Sequence, residues 1–462
     1  MSSPVHDPAR TSPRDQARTP PPVPPPVPPP VPANGPANGP VNGPVNGPPP
    51  LPAVPLSDPR YGPTHGPVRD PMAGPRGPAA TRPRGPMSGW RLRDFEDAAR
   101  ERLAPAHYDY FAGGAGEEIT LRANEAAFDR LALVPRVLRG AGIPETGVTL
   151  LNSRASMPVL VAPTAFHRLA DPQGERATAR AAAAAGTIMI VSMAATVAVE
   201  EVAAAAPGAE LWFQLYVQPD LAFTERVVRR AESAGCTALV VTADSPVMGV
   251  RERDVRNGFH DLPAHLHCEN LRDGPDGPVR PIVMWPELSW EHLAMLRRMT
   301  DLPLVVKGVT HPADARLAID HGAAAILVSN HGGRQLDGMP AAIDLLPDVV
   351  AEVAGAVPVL MDGGVRRGTD VVKALALGAA AVGVGRPVLW GLAAGGEAGA
   401  AGVLGLLRAQ FEEAMTLCGC AGLAGLSRDM VRDMIRDTVR DTVRDTVRDT
   451  VRDTVRDTVR PC

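Results

Sequence analysis

The sequence predicts a single (β/α)8 barrel between two low-complexity tails. Three observations predict it. Eight short apolar runs recur through the middle of the chain, separated by amphipathic helical segments. The runs are continuous rather than alternating, as strands covered on both faces must be. Their starts lie roughly 22–33 residues apart, the length of one βα unit, apart from a single gap between 238 and 303.

The chain opens on residues 1–86, which hold 29 of its 50 prolines in runs such as PPPVPPPVPPPVP and ANGPANGPVNGPVNGP. Proline removes the amide donors that helices and sheets need. Few bulky apolar residues remain to bury, so this segment is expected to be a disordered, partly polyproline II tail. The barrel is expected over residues 87–427, long enough for one large core. Its strands are PVLVAPTA (158–165), IMIVSMA (188–194), LWFQLYV (211–217), ALVVTAD (238–244), PLVVKGV (303–309), AILVSNHG (325–332), PVLMDGGV (358–365) and AVGVGRPV (381–388). In the helical segment HPADARLAIDHGA, Pro312 suits a first helical position and Gly322 lies past the end. The long stretch after the fourth strand is expected to be a lid. Residues 428–462 are a four-residue repeat, with RDTV six times in succession. On a helix its valines drift about 40° per unit, so no apolar face persists. A frayed helix or a disordered tail follows.

Composition excludes several classes. A net charge of −4 and a pI near 6.3 argue against a nucleic-acid-binding surface. Five cysteines in 462 residues argue against a disulfide framework and fit a reducing cytoplasm. No run of 18 apolar residues and no signal-peptide pattern occur, so no membrane association is expected. The CxC at Cys418 and Cys420 has no further ligand at zinc spacing, so no metal site is expected.

Polar residues cluster at strand C-terminal ends, the face that carries chemistry in this fold. They are Gln214, Tyr216, Asp244, Lys307, His331, Asp362 and Arg386. MDGGVRRG after strand 7 and VGRP after strand 8 combine glycines, which let backbone amides approach an anion, with Arg366 and Arg386, which neutralise it. A phosphate-bearing ligand is expected there. In Ser329-Asn330-His331-Gly332-Gly333-Arg334 a histidine stands three residues before an arginine. A base beside a cation suits an anionic substrate that loses a proton. Asp244 is placed to hold the imidazole, and Arg251 in the lid adds a second anion clamp. Lys307 is compatible with Schiff-base chemistry or with stabilising a reduced cofactor, and spacing alone does not choose.

YDYFAGGAG (108–116), APTAFHRLADPQGE (162–175), FQLYV (213–217), VSNHGGRQLDG (328–338) and DGGVRRGTDVVKALALGA (362–379) occur in that order. With these motifs the chain resembles the FMN-dependent 2-hydroxy acid oxidase and dehydrogenase family over about residues 90–427, the group of glycolate oxidase, lactate oxidase and mandelate dehydrogenase. The resemblance implies FMN as cofactor. Asp362, Gly363, Gly364, Val365, Arg366, Gly385 and Arg386 would take its ribityl and phosphate end. Pro163, Thr164 and Ala165 would lie near the flavin N5 edge, and Ser192, Gln214, Thr242 and Ser329 against the ring or ribityl chain. Lys307 would sit where negative charge grows on reduction. His331 would be the base and Asp244 its orienting partner. Arg251 and Arg334 would grip the substrate carboxylate, with Tyr110 and Tyr216 hydrogen-bonded to substrate.

The implied reaction is oxidation of an L-2-hydroxy acid to a 2-oxo acid with dioxygen as acceptor. A dehydrogenase passing electrons to a quinone or another acceptor is the nearest alternative, and a non-enzymatic scaffold using the proline-rich tail the most distant. A homo-oligomer, tetrameric by resemblance, is expected. Ala194 stands where short-chain oxidases of the family carry a bulky side chain, which predicts a larger pocket and a mandelate-type substrate. Phe166 and Met248 are further pocket-facing candidates.

Overall fold

The computed structural model describes residues 89–274 and 276–434. The proline-rich tail expected over 1–86 and the repeat beyond 434 lie outside the described residues. Three helices, Leu92–Arg102, Pro105–Ala112 and Ile119–Arg130, precede the barrel. Its strands are β1 (Val159–Val161), β2 (Met189–Ser192), β3 (Leu211–Leu215), β4 (Leu239–Thr242), β5 (Leu304–Val309), β6 (Ala323–Val328), β7 (Val359–Asp362) and β8 (Ala381–Val384). They are parallel and close in order, with β8 pairing β1. All eight coincide with the expected apolar runs. The helix Pro312–Asp320 begins at the expected proline, and Gly322 follows it at φ +89°.

Two apolar layers hold the barrel. Side chains alternate across a strand, so every second residue faces the interior. Leu160, Ile190, Trp212, Val240, Val305, Leu327, Leu360 and Ala381 fill it, one from each strand. The hairpin Val148–Leu150 and Ser153–Ala155 adds Leu150 and Ala155 to this core, and Trp212 Nε1 donates to Ser153 Oγ at 3.0 Å. Burying a large apolar side chain contributes about 1.5–3 kcal/mol, so this interior is a packed plug rather than a pore. The outward residues pack under the helices.

The helix Arg386–Leu417 is long and apolar enough to span a membrane by composition, yet 61% of its most apolar window is buried inside the fold. It bends at Gly395 and Gly396, whose backbone is non-helical. Gly391 and Gly399 meet across the bend, where a Cβ on Gly399 would stand 1.9 Å from the Gly391 carbonyl oxygen. The helix is therefore a core element.

One boundary is corrected. The boundary expected at residue 428 falls inside the described fold, because Val431–Asp433 pairs antiparallel with Leu131–Leu133. Met430 and Val431 are buried, and the Val134 amide donates to the Met430 carbonyl at 2.8 Å. An even repeat keeps the same residues on the same face of a strand, so the unit that fails as a helix succeeds as an edge strand. Val431 and Asp433 point inwards and Arg432 outwards.

Candidate functional site

The site is the next layer of the same alternation. Two residues beyond each interior plug residue, the strands place Ala162, Ser192, Gln214, Thr242, Lys307, Ser329, Asp362 and Gly383. Gln214 bridges its neighbours: its Oε1 lies 3.1 Å from Ser192 Oγ, and its Nε2 donates to Thr242 Oγ1 at 3.0 Å. Lys307 Nζ donates to Ser329 Oγ at 3.0 Å, and Ser329 Oγ bonds Asp362 Oδ1. The apolar plug thus ends in a hydrogen-bonded polar floor. Above it lies a cavity of about 260 Å³ whose lining includes Pro163, Thr164, Ala165, Ser192, Gln214, Thr242, Lys307 and Asp362. Ser329 and Asp244 are tied to this floor through Lys307, which contacts both, and Ser329 also bonds Asp362.

Lys307 is buried between two carboxylates, Asp244 at 3.7 Å and Asp362 at 3.8 Å. Burial alone would lower its pKa, but Asp362 and Asp244 outweigh it and raise the ammonium above its usual value. Asp244 is likewise opposed by burial, yet His331 and Lys307 hold its carboxyl well below the usual range. It is a fixed anion. Its Oδ1 lies 2.8 Å from His331 Nδ1, so that nitrogen carries the proton and Nε2 is left as the basic one. Ser245 Oγ donates to the same Oδ1 at 3.0 Å.

His331 adopts a left-handed backbone, φ +57°, continued by Gly332 at +62° and Gly333 at +73°. For a non-glycine residue this is uncommon and costs about 1–3 kcal/mol. A Cβ at Gly333 would stand 2.6 Å from the Leu121 amide nitrogen, so only glycine lets the loop cross the third helix. The turn brings His331 and Arg334 to the same cavity.

Tyr110 lies between the two expected carboxylate clamps. Arg334 and Arg251 sit over its ring at 4.9 and 5.5 Å from the centroid, while Phe166 stacks on it at 5.1 Å. Arg334 donates to the carbonyls of Tyr110 (2.6 Å) and Gly113 (2.8 Å). Burial and the neighbouring Arg251 charge lower its pKa. Burial raises Tyr110 and, together with Asp244, Tyr216, which keeps both phenols protonated as donors. Tyr216, Arg251, Ala194, Phe166 and Met248 line the cavity as expected.

At the β7 and β8 end the charges differ. Gly363, Gly364, Val365, Arg366, Gly385 and Arg386 line the cavity. Gly364 has φ +83°, and a Cβ there would lie 2.0 Å from the Asn124 carbonyl oxygen. Arg366 is paired with Glu125 at 2.7 Å. Arg386 is half-buried, and among the described residues its hydrogen bonds go only to the carbonyls of Phe111, Gly332 and Gly113. Burial, Arg334 and Arg366 push it down to about 9. A cation held only by carbonyls, beside two other arginines and with Glu125 and Glu118 beyond salt-bridge distance, is a site for an anion, and it stands at the N-terminus of the helix Arg386–Leu417, whose free amides favour one too.

The family model for FMN-dependent dehydrogenases matches residues 99–433. The chain is 48% identical over 346 residues to glycolate oxidase 1 of Zea mays, covering 72% of this chain and 93% of that protein. It is 46% identical over 348 residues to an L-lactate oxidase of Nostoc sp., covering 72% and 95%. A crystal structure of mandelate oxidase with 3,3-difluoro-2-hydroxy-3-phenylpropionic acid aligns with a TM-score of 0.69 at 44% identity, over 74% of this chain and 98% of that one. The chain belongs to the FMN-dependent dehydrogenase family, and its cofactor is FMN. The residues fit that group: Arg386 lacks an anion, the glycines leave the backbone bare beside it, and the polar floor offers donors and acceptors along the cavity.

The sequence reading missed several cavity residues. Asp254 accepts from Arg251 Nε at 2.7 Å. The Gln335 amide donates to the carbonyls of Asp244 (3.2 Å) and Val247 (3.0 Å) and accepts from the Gly249 amide (2.9 Å), tying the lid root to the His331 turn. Ser245, Phe259, His260, Asp261, Ile282 and Met284 also line the cavity. The available signals were the i,i+3 spacing of Arg251 and Asp254 and the adjacency of Gln335 to Arg334.

Proposed function

We propose that this enzyme oxidises an L-2-hydroxy acid to the 2-oxo acid with dioxygen reduced to hydrogen peroxide, and that bulky or aromatic acids are preferred over glycolate. The observation that carries the reading is the His331–Asp244 pair beside Arg251 and Arg334 in one cavity. The two guanidiniums hold the substrate carboxylate, with Tyr110 and Tyr216 donating to substrate oxygens. His331 Nε2 accepts a proton from the substrate, and the fixed Asp244 anion stabilises the imidazolium that forms. FMN, when bound, would supply the acceptor for the two electrons and the substrate's second proton, which with the proton held on His331 would reduce dioxygen to hydrogen peroxide. Lys307, charged and buried, supplies positive potential on the cavity floor.

The size preference rests on Ala194, which follows β2 and lines the cavity with no side chain beyond Cβ. The relatives named for mandelate support it, and those named for glycolate make it a genuine choice. Each methylene filling an apolar pocket is worth about 1–3 kcal/mol of discrimination. The test bleaches the flavin anaerobically with glycolate, lactate, 2-hydroxyoctanoate and mandelate, admits air, and measures peroxide. One peroxide per 2-oxo acid is expected; a reduced flavin that stays reduced in air points to another acceptor. Specificity constants should rank mandelate above glycolate, and Ala194→Trp should reverse that order. A ranking unmoved by tryptophan means Ala194 does not set the pocket.

A further inference from the structure

Arg251 lies on the lid at the start of the short helix Glu252–Arg256, a position from which a long side chain has many places to point. Yet it is largely buried, and its hydrogen bond runs from Nε to Asp254 Oδ2 at 2.7 Å. A guanidinium has two bidentate edges, one through Nε and one through its terminal nitrogens. Asp254 occupies the Nε edge and leaves the terminal pair for a ligand. Asp254 is itself 6% exposed, and its Oδ1 has no hydrogen-bond partner. Its backbone carbonyl accepts from the Phe259 amide at 2.9 Å, and the Phe259 ring lies 5.2 Å from that of Tyr110. The Asp254 backbone is therefore held at the end of the lid helix, and its carboxylate is held by Arg251.

Charge points the same way. Arg251 and Arg334 both flank Tyr110, and the Arg251 charge works against Arg334. Arg334 has only carbonyls for partners. Two half-buried cations with one carboxylate sum to one positive charge, which one substrate carboxylate cancels. Without Asp254 the pair would carry two, and Arg251 would be free to swing away from Arg334.

We propose that Asp254 is a positioning residue for substrate binding: it aims the terminal nitrogens of Arg251 at the substrate carboxylate and sets the charge of the clamp to match a single anion. The proposal rests on the carboxylate-binding reading of Arg251 and Arg334 given above. Asp254 touches neither a proton in transfer nor the anion-binding arginine at the β8 end.

The test compares Asp254→Asn and Asp254→Ala with the wild-type holoenzyme. Oxalate, a small dicarboxylate that needs no turnover, is titrated by calorimetry. KM and kcat for the best 2-hydroxy acid, FMN content and Tm are measured beside it. In Asp254→Ala the oxalate Kd and the KM rise about 10- to 100-fold, the loss expected for one charge-assisted contact, while FMN content and Tm hold and kcat changes much less. Asp254→Asn, whose amide oxygen still accepts from Nε, recovers part of the oxalate affinity. Wild-type oxalate binding in both variants overturns the proposal. So does equal loss in both, which removes the aiming role, and so does loss of FMN or a large fall in Tm in both, which makes Asp254 structural. If wild-type enzyme binds oxalate but no 2-hydroxy acid reduces its flavin, the proposed function fails while the role of Asp254 is still read from the oxalate series.

Discussion

The two ends of the cavity differ in how their charges are matched. Among His331, Asp244, Lys307 and Asp362 every charge has an opposite within reach: Asp244 holds His331 at 2.8 Å and faces Lys307 at 3.7 Å, and Lys307 also faces Asp362 at 3.8 Å. Around Arg386 no carboxylate stands within salt-bridge distance among the described residues, Glu125 and Glu118 act only at longer range, and burial with Arg334 and Arg366 pushes the cation down to about 9. The first end is preorganised for moving a proton. These four groups need no ligand to be internally consistent, so their geometry exists before substrate arrives. The second end is incomplete until an anion fills it, so part of its order is supplied by the cofactor. Chemistry is built into the protein at one end and binding is deferred to a ligand at the other.

The largest effect should come from breaking the complete end. His331→Ala removes the base and leaves Asp244 facing Lys307 alone. General-base catalysis is worth about 10²–10⁴-fold, so flavin reduction by a 2-hydroxy acid should fall by that factor while FMN stays bound. Stopped-flow reduction and the flavin absorbance of the purified variant check both halves. Near-wild-type reduction would move the base elsewhere.

Asp244→Asn tests the same end through stability. Removing one partner of a buried charge group typically costs about 3–5 kcal/mol. Its pH dependence has a definite sign. The folded carboxyl is depressed, because His331 and Lys307 outweigh the opposing burial, so its contribution is present above the unfolded carboxyl pKa and is lost as pH falls through the lower folded value. The gap between wild type and Asp244→Asn, measured by denaturant unfolding, should be full at pH 7 and shrink below about pH 4. A gap that is constant down to pH 2 would mean the ion cluster does not stabilise the fold.

The matched end was the more legible in the sequence, and the reason is geometric. Barrel strands repeat every second residue, so Gln214, Thr242, Lys307, Ser329 and Asp362 fall at the ends of apolar runs that define their own position. His331 and Arg334 follow directly from β6 within one turn. The lid has no such ruler. Asp254 and Phe259 reach the cavity because 243–289 folds back over the barrel, guided by long-range bonds such as Asn270 Nδ2 to the Ser192 carbonyl (3.0 Å) and Arg253 to Glu118 (2.7 Å). Gln335 matters through contacts to a segment almost ninety positions away. Pairing of Val431–Asp433 with Leu131–Leu133 was invisible for a related reason: a period of four was weighed as a helix, and the partner that makes it a strand sits before the barrel. That Arg386 has no acidic partner is a property of the assembled loops and cannot be read from VGRP alone.

The smallest expected effect tests the incomplete end. If Arg386 awaits an anion, FMN-free protein should be stabilised by inorganic phosphate relative to chloride at equal ionic strength. At phosphate ten times its Kd the gain is about 1.4 kcal/mol, a rise in Tm of about 2 °C for a domain of this size. The pH dependence again has a sign. Free Arg386 titrates near 9, lowered by burial, Arg334 and Arg366, and a bound anion restores the charged form. Above that value binding must first return a proton, so phosphate affinity should fall by about tenfold per pH unit, while below it affinity should be flat as far as phosphate's own charge allows. Sulfate, whose charge is constant over this range, separates the two titrations. Arg386→Glu replaces a charge-assisted contact worth about 1.5–3 kcal/mol with a repulsive one, so it should abolish the anion effect and weaken FMN by at least about tenfold. An Arg386→Glu protein that purifies with full flavin, or a wild-type apoprotein indifferent to both anions, would show that the phosphate is held by Arg366 and the glycine backbone without Arg386, and the contrast between the two ends would no longer stand.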